Sequence, residues 1–253
     1  MAPDAHARFI TPEELDSWLL YQDAEALALD KPAGVVCHPS KAGPWSSLSA
    51  AVRERWGLEA AHLVSRLDRE TSGVTLFAKT PAAAKRLQRA AAAGLAPKTY
   101  LAVLTGELEE PKEADAPLGP AAGSPVAAQT AARPDGKPAR TRFEPLARGG
   151  GFTLARVTTF TGRKHQIRAH ALWLGLPLVG DKIYGPDPRC FLEFLETGWT
   201  PALERRLLLP RHALHCASLD LRPAGVPARL ASPLPSDLRA FCESRGLQVP
   251  AGL

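Results

Sequence analysis

From His62 to Gly73 the chain reads His-Leu-Val-Ser-Arg-Leu-Asp-Arg-Glu-Thr-Ser-Gly, which sets one carboxylate, Asp68, between Arg66 and Arg69. A carboxylate so placed can be a solvated surface charge, the anchor of an ion pair, or a nucleophile or base. If the segment is extended, Arg66 lies on the same side as Asp68, because side chains alternate along an extended backbone. A neighbouring cation favours the ionised form that a nucleophile or base needs. Read alone, an acid flanked by arginines is more often a turn cap paired with a surface arginine. A second polar cluster runs from Thr161 to His170, Thr-Gly-Arg-Lys-His-Gln-Ile-Arg-Ala-His, and gathers Arg163, Lys164 and Arg168 where a strand gives way to a helix. Cations at a helix N-terminus oppose its dipole, so a phosphate or carboxylate is expected to join them. The rival reading is a polar cap on a buried helix. Lys98-Thr99-Tyr100 opens an apolar strand. A tyrosine there can stack on the face of an RNA base, although more often it is an aromatic at the edge of a core.

Other chemistries lack their signatures. The four cysteines, Cys37, Cys190, Cys216 and Cys242, include no Cys-x-x-Cys pair, so a structural zinc is not expected and reduced core cysteines are. There is no Gly-rich phosphate loop, no His-Glu-x-x-His and no Gly-x-Ser-x-Gly elbow, so the expectation is chemistry without a cofactor or metal. The 253 residues carry 31 Lys and Arg against 26 Asp and Glu, a net charge of +5 that leans toward phosphate-rich partners. No stretch approaches the apolar length of a membrane span and the first residues lack an apolar signal region, so a cytoplasmic protein is expected.

The elements that must position these residues follow from periodicity and punctuation. Residues 25–38 read as a strand, a turn at Asp30-Lys31-Pro32-Ala33-Gly34 and a second strand at Val35-Val36. A helix starts at Ser46 or Ser47 as cap and runs through Leu48, Val52 and Trp56 to Gly57, one apolar stripe. Residues 74–79 read as a strand. Thr80-Pro81 is a cap followed by proline at the first helical position, and Gly94 a helix stop. A strand is expected over 100–104, and a long loop or a pair of weak strands over 107–138. Residues 141–146 and 152–160 form a hairpin around Arg148-Gly149-Gly150-Gly151. Helices are expected over 165–174, 190–195 and 202–208, a strand over 213–221, and a last helix over 236–245 capped by Ser236. Mostly hairpin-linked strands favour an α+β fold with a mixed, largely antiparallel sheet and flanking helices.

Taken together, Asp30-Lys31-Pro32-Ala33-Gly34, the Ser65–Gly73 segment, Lys98-Thr99-Tyr100, Gly162-Arg163-Lys164-His165-Gln166-Ile167-Arg168 and Pro177-Leu178-Val179-Gly180-Asp181-Lys182-Ile183-Tyr184-Gly185 resemble the RluA-type pseudouridine synthases. The resemblance covers residues 25–222 in family order, with Arg211-His212-Ala213-Leu214-His215 fitting as well. It implies a single catalytic domain over 25–222 with a central RNA-binding cleft. Residues 1–24 would then be an N-terminal extension and 223–253 a C-terminal segment with a helix packed on the domain. No N-terminal S4-type module precedes Asp30, and a monomer suffices because every matched block lies in one chain.

The activity implied is isomerisation of uridine to pseudouridine in structured ribosomal or transfer RNA. Asp68 matches the catalytic aspartate, Tyr100 the aromatic that stacks on the target base, and Arg168 the cation that pairs with the aspartate. Arg66 matches the residue that fills the stack when the nucleotide is flipped out. Lys98, Arg163, Lys164, His165, Gln166 and Ile167 would complete the substrate-binding set. Ser65 and Leu176 stand where the family usually has histidine, which bears on substrate contacts. Two other readings compete: a catalytically idle RNA-binding or ribosome-assembly factor of the same fold, and an aspartate-nucleophile glycosidase acting on small nucleosides. The intact Asp68, Tyr100 and Arg168 set argues against the first, and the surplus of arginines against the second.

Overall fold

Thr11 opens the first helix by a reciprocal cap: its hydroxyl accepts the Glu14 N–H at 3.2 Å and the Glu14 carboxylate accepts the Thr11 N–H at 3.0 Å. Two backbone amides that a helix start leaves unpaired are thereby satisfied. The computed structural model describes residues 8–38 and 43–253. In chain order its first elements are α1 (Pro12–Ser17), β1 (Leu19–Gln22), β2 (Ala26–Lys31), α2 (Leu48–Arg55), β3 (His62–Leu63), β4 (Ser72–Ala78), α3 (Pro81–Ala92) and β5 (Lys98–Thr105). There follow β6 (Lys112–Asp115), β7 (Leu118–Pro120), β8 (Thr130–Ala132), β9 (Arg140–Gly149), β10 (Phe152–Thr159) and α4 (Gln166–Trp173). The chain ends with α5 (Arg189–Thr197), α6 (Pro201–Leu207), β11 (Leu214–Asp220), β12 (Arg229–Ala231) and α7 (Ser236–Ser244).

Contacts divide the described residues into two compact units, those up to 98 with 216–232 and residues 99–215 with 233–253. In the first, strands follow the order β1-β2-β4-β11, with β3 also on β4 and β12 on β11. Leu27, Leu29 and Phe77 point from this sheet into a core closed by Leu48, Ala51 and Val52 of α2 and by Ile10 and Leu15. The i, i+4 spacing of Leu48, Val52 and Trp56 supplies that buried stripe, as the sequence predicts. In the second unit β10 is central, pairing antiparallel with β5 on one side and β9 on the other, and β6 extends β9. The small ribbon β7–β8 packs its Leu118 and Ala132 with Ala169 of α4 and with Ile183 and Tyr184. Antiparallel pairing with helices on the sheet is the α+β arrangement expected.

Several local expectations need correction. Val35-Val36 form no strand, because the Val36 and Cys37 carbonyls accept the Leu48 and Ser49 N–H groups and serve α2 instead. β2 runs on through Asp30 and Lys31, so the turn begins only at Pro32. Ser47 is the cap residue of α2 but makes no side-chain cap bond, and Ser236 is the first residue of α7, after its cap Pro235. Within residues 1–24, 1–7 lie outside the described residues, while 8–24 form α1 and β1. The region 107–138 holds β6, β7 and β8, of which β7 and β8 are the pair of weak strands anticipated. The short strands β3 and β12 were not anticipated, since neither is long enough to show a period.

Candidate active site

Asp68 lies in the first unit, in the turn that leads into β4, half-buried between exposed Arg66 and buried Leu67 on one side and half-buried Arg69 on the other. That turn is fixed from beneath. Lys31, wholly buried at the end of β2, donates its ammonium to the carbonyls of Pro32 (2.9 Å), Val35 (2.9 Å) and Arg69 (3.1 Å). Gly34 N–H donates to the same Arg69 carbonyl at 2.8 Å, and Arg69 Nε returns a bond to Gly34 O at 3.2 Å. Thr71 N–H to Asp68 O, 3.1 Å, closes the turn. The Asp30–Gly34 segment thus clamps the backbone of the residue next to Asp68. A buried lysine is costly unless its donors are met, and here carbonyls meet them. The sequence signal was a lysine placed between an apolar strand and Pro-Ala-Gly.

Gly73, the second residue of β4, has φ +106°, and a Cβ at this position would overlap the Cys216 backbone carbonyl of β11. Only glycine permits both the conformation and the approach. Lys98, at the start of β5, donates to Ser65 Oγ, the position where the family pattern has histidine. Burial holds the Lys98 ammonium below the ordinary lysine pKa, against the opposing influence of the Cys216 and Cys37 thiols.

The second unit holds the remaining residues. Tyr100 is buried in β5, opposite Val157 of β10. Arg168, in the buried first turn of α4, is 5% exposed and forms a bidentate pair with Asp181: Nε to Oδ2 at 2.6 Å and Nη2 to Oδ1 at 2.8 Å. Asp181 is the carboxylate that answers the crowding of cations at this helix start. It lay in the Pro177–Gly185 block without an assigned role, because nothing local in the sequence signals a contact between that block and α4. Burial alone would raise its carboxyl, but the Arg168 charge and hydrogen bonds, with His212 and the Tyr184 N–H, outweigh burial and hold it far below the usual carboxylate range.

The Tyr184 ring lies 4.8 Å from the Arg168 guanidinium carbon. Its hydroxyl accepts Thr130 N–H at 2.8 Å and sits 3.0 Å from His165 Nδ1, which it can therefore meet with its own proton. His165 itself has φ 54°, a left-handed conformation uncommon outside glycine, and its carbonyl begins α4. Gln166 is buried and its side chain is committed internally, accepting from Thr161 Oγ1 and Arg163 N–H while donating to Arg140 O and Thr141 Oγ1. Ile167 is buried as well, whereas Arg163 and Lys164 are exposed. His170 lies deeper, between Thr141 Oγ1 (2.8 Å) and Ala116 O (2.9 Å), and burial lowers its pKa. Among the described residues no group of three or more His, Cys, Asp or Glu could hold a metal ion, and no helix is long and apolar enough to cross a membrane.

A family model described as RNA pseudouridylate synthase matches residues 25–173, more than half of the chain and including Asp68, Tyr100 and Arg168. The chain belongs to this family. Among similar pseudouridine synthases, ribosomal large subunit pseudouridine synthase D of Nitrosomonas europaea is 35% identical over 237 residues, covering 89% of this chain and 64% of the relative. The protein of the same name from Xanthomonas campestris pv. campestris is 35% identical over 235 residues, covering 90% of this chain and 69% of its own. This synthase-family chain therefore spans about two thirds of the length of those relatives. In fold it is similar to human RNA pseudouridylate synthase domain containing 4, with a TM-score of 0.73 at 22% identity over 94% of this chain and 97% of that one. The fold correspondence agrees with the α+β architecture described above.

Proposed function

We propose that this protein isomerises a specific uridine to pseudouridine in structured RNA, with ribosomal RNA the first candidate substrate. The observation that carries this reading is the family match over residues 25–173, a span that includes Asp68, Tyr100 and Arg168, each in a block that resembles the family's motifs. The bond from the ribose C1′ to N1 of uracil breaks and one from C1′ to C5 forms. The C5 proton is lost and N1 gains one, so the net change is neutral and involves no electron transfer. Asp68 is the nucleophile on the nucleotide, Tyr100 stacks on the uracil, and Arg168 holds negative charge in the ionised state. Holding the detached base oriented between departure and return is what a closed site contributes to such a reaction. The rigid backing of the Asp68 turn by Lys31 and Gly34 supports this role, since a nucleophile gains from a fixed approach. Arg66, exposed beside Asp68, occupies the stack vacated by the flipped nucleotide. Lys98, Arg163, Lys164 and His165 contact the RNA, with Gln166 and Ile167 shaping that surface from behind. The relatives named for the large ribosomal subunit favour ribosomal over transfer RNA.

The test is transcriptome-wide pseudouridine mapping in a strain lacking this gene, complemented with wild type or with Asp68→Asn. A site lost in the deletion and restored by wild type alone supports both the activity and the role of Asp68. Restoration by Asp68→Asn would overturn that role, and an unchanged map would overturn the activity.

A further inference from the structure

Phe160 follows directly on the last residue of β10 and has half of its surface exposed, at 50%, in a loop that is otherwise polar. Its setting is rigid. Phe160 N–H donates to Arg140 O at 3.0 Å, and Arg140 N–H donates to Thr161 Oγ1 at 3.1 Å. The buried Gln166 side chain then ties Thr161, Arg163 and Arg140 together from behind. The Arg140 guanidinium carbon stands 4.7 Å from the centre of the Phe160 ring, and Arg140 is itself held by Glu113. An exposed aromatic ring fixed in place loses solvent contact without losing conformational freedom when something stacks on it, which favours binding over an equally exposed flexible side chain.

The surroundings are basic. Exposed Lys137, Arg142, Arg163 and Lys164 lie on the segments that flank or follow Phe160; of the acids on the adjoining strands, Glu113 and Glu144 are taken up by Arg140 and Arg142, and exposed Asp115, opposite Arg140, still leaves cations in surplus. Arg163 Nε donates to a backbone carbonyl, Pro138 O at 2.9 Å, so its charge is not cancelled by that contact. A planar apolar ring carrying a guanidinium and bordered by lysine and arginine matches one ligand chemistry: a base with its phosphates, unstacked from its neighbours. A protein surface would ask for a wider apolar area than one ring.

We infer that Phe160, backed by Arg140, is a stacking platform for an unpaired base of the RNA, with Arg163 and Lys164 taking the adjacent phosphates. The platform rests on the RNA-modifying reading for its ligand but assigns a contact outside the motif residues. It is tested by binding of a fluorescein-labelled oligouridylate of about twelve nucleotides, a length suited to a single-strand site, to wild type, Phe160→Ala, Phe160→Leu and Phe160→Trp. Thermal melts establish that each variant is folded. Loss of one stacked base predicts affinity weakened by roughly five- to hundred-fold in Phe160→Ala, a similar loss in Phe160→Leu, and wild-type or tighter binding in Phe160→Trp. Wild-type affinity in Phe160→Ala, or in Phe160→Leu, overturns the platform, the second because apolar area alone would then suffice. Pseudouridine formation is scored separately on cellular RNA. Wild type that binds the oligonucleotide yet forms no pseudouridine refutes the isomerase reading, and the variant affinities still decide the platform. Wild type that does not bind at all refutes the platform.

Discussion

Asp181 carries its negative charge with none of its surface exposed, and it does so because Arg168 meets both carboxylate oxygens while the Ile183 and Tyr184 N–H groups also donate to Oδ1. Truncating one partner of such a pair leaves the other charged and buried. Asp181→Ala is therefore expected to lose about 3–5 kcal/mol of unfolding free energy in urea denaturation at neutral pH. A loss below 1 kcal/mol, roughly the value of an exposed pair, would show that the pair is not dry. The same residue sets a pH dependence. Its folded carboxyl lies below its unfolded value, so the stabilisation is complete above the ordinary carboxylate range and is lost as pH falls toward the folded value. Stability of the wild type should fall below about pH 4, and the fall should be shallower in Asp181→Asn, which has nothing to protonate. Equal acid slopes in the two proteins would refute this linkage. Tyr184 offers a gentler probe, since Tyr184→Phe keeps the ring over Arg168 and removes only the hydroxyl between Thr130 and His165. That change is expected to cost about 1–2 kcal/mol by thermal melting. At this scale the sequence offered candidate residues for the site, but not the partners that hold them. Asp181 and Arg168 each stand in a recognisable motif, and the bond between them depends on how the chain returns.

Elements were legible wherever punctuation and period agreed. Thr80-Pro81 announced α3, and Thr80 Oγ1 does accept Ala83 N–H at 3.2 Å. The hairpin of β9 and β10 followed from its glycines, and both Gly150 and Gly151 take positive φ. Serine was a less faithful signal: Ser47 turns inward, wholly buried, with no hydrogen-bond partner for its hydroxyl. Strand order was illegible, because β11 comes to lie beside β4 from far along the chain and no local pattern records the pairing. One residue nevertheless reports that neighbour, since Gly73 is required by the Cys216 backbone. Gly73→Ala should therefore be far more damaging than a change at another glycine of comparable backbone conformation. Gly151, φ +79°, has nothing within 4 Å of a built Cβ, so Gly151→Ala is expected to cost only the conformational penalty of about 1–3 kcal/mol. Gly73→Ala adds a backbone overlap that β4 can relieve only by separating from β11. The comparison is made by denaturant titration, with soluble yield as the readout if Gly73→Ala does not fold. Equal destabilisation of the two variants would mean that the sheet yields easily at Gly73.

Over the whole molecule the charge balance is modest, +5 on 253 residues, and much of the arginine content is spent on internal or surface ion pairs such as Arg168–Asp181, Arg211–Asp237 and Arg55–Asp16. A bare count of basic residues therefore overstates what an RNA would meet, and composition alone could never have identified the ligand. The distinction matters for how binding responds to salt. Each phosphate neutralised by the protein displaces a condensed counterion, so log affinity falls with log salt by about 0.7 per phosphate on a single strand. Arg163 and Lys164 are exposed and no carboxylate partner is recorded for either among the described side chains. If they take phosphates, Arg163→Ala with Lys164→Ala should flatten the salt dependence of oligouridylate binding by about 1.4, two contacts at that value each. Phe160→Ala should weaken binding while leaving the slope as it is, because stacking displaces no counterions. Fluorescence anisotropy titrations across a range of potassium chloride concentrations separate the two effects. A double variant with an unchanged slope would remove Arg163 and Lys164 from the RNA contact, whatever its affinity. A slope lowered by Phe160→Ala would mean instead that the ring acts by holding Arg140 toward a phosphate, a role for which stacking on a base would not be needed.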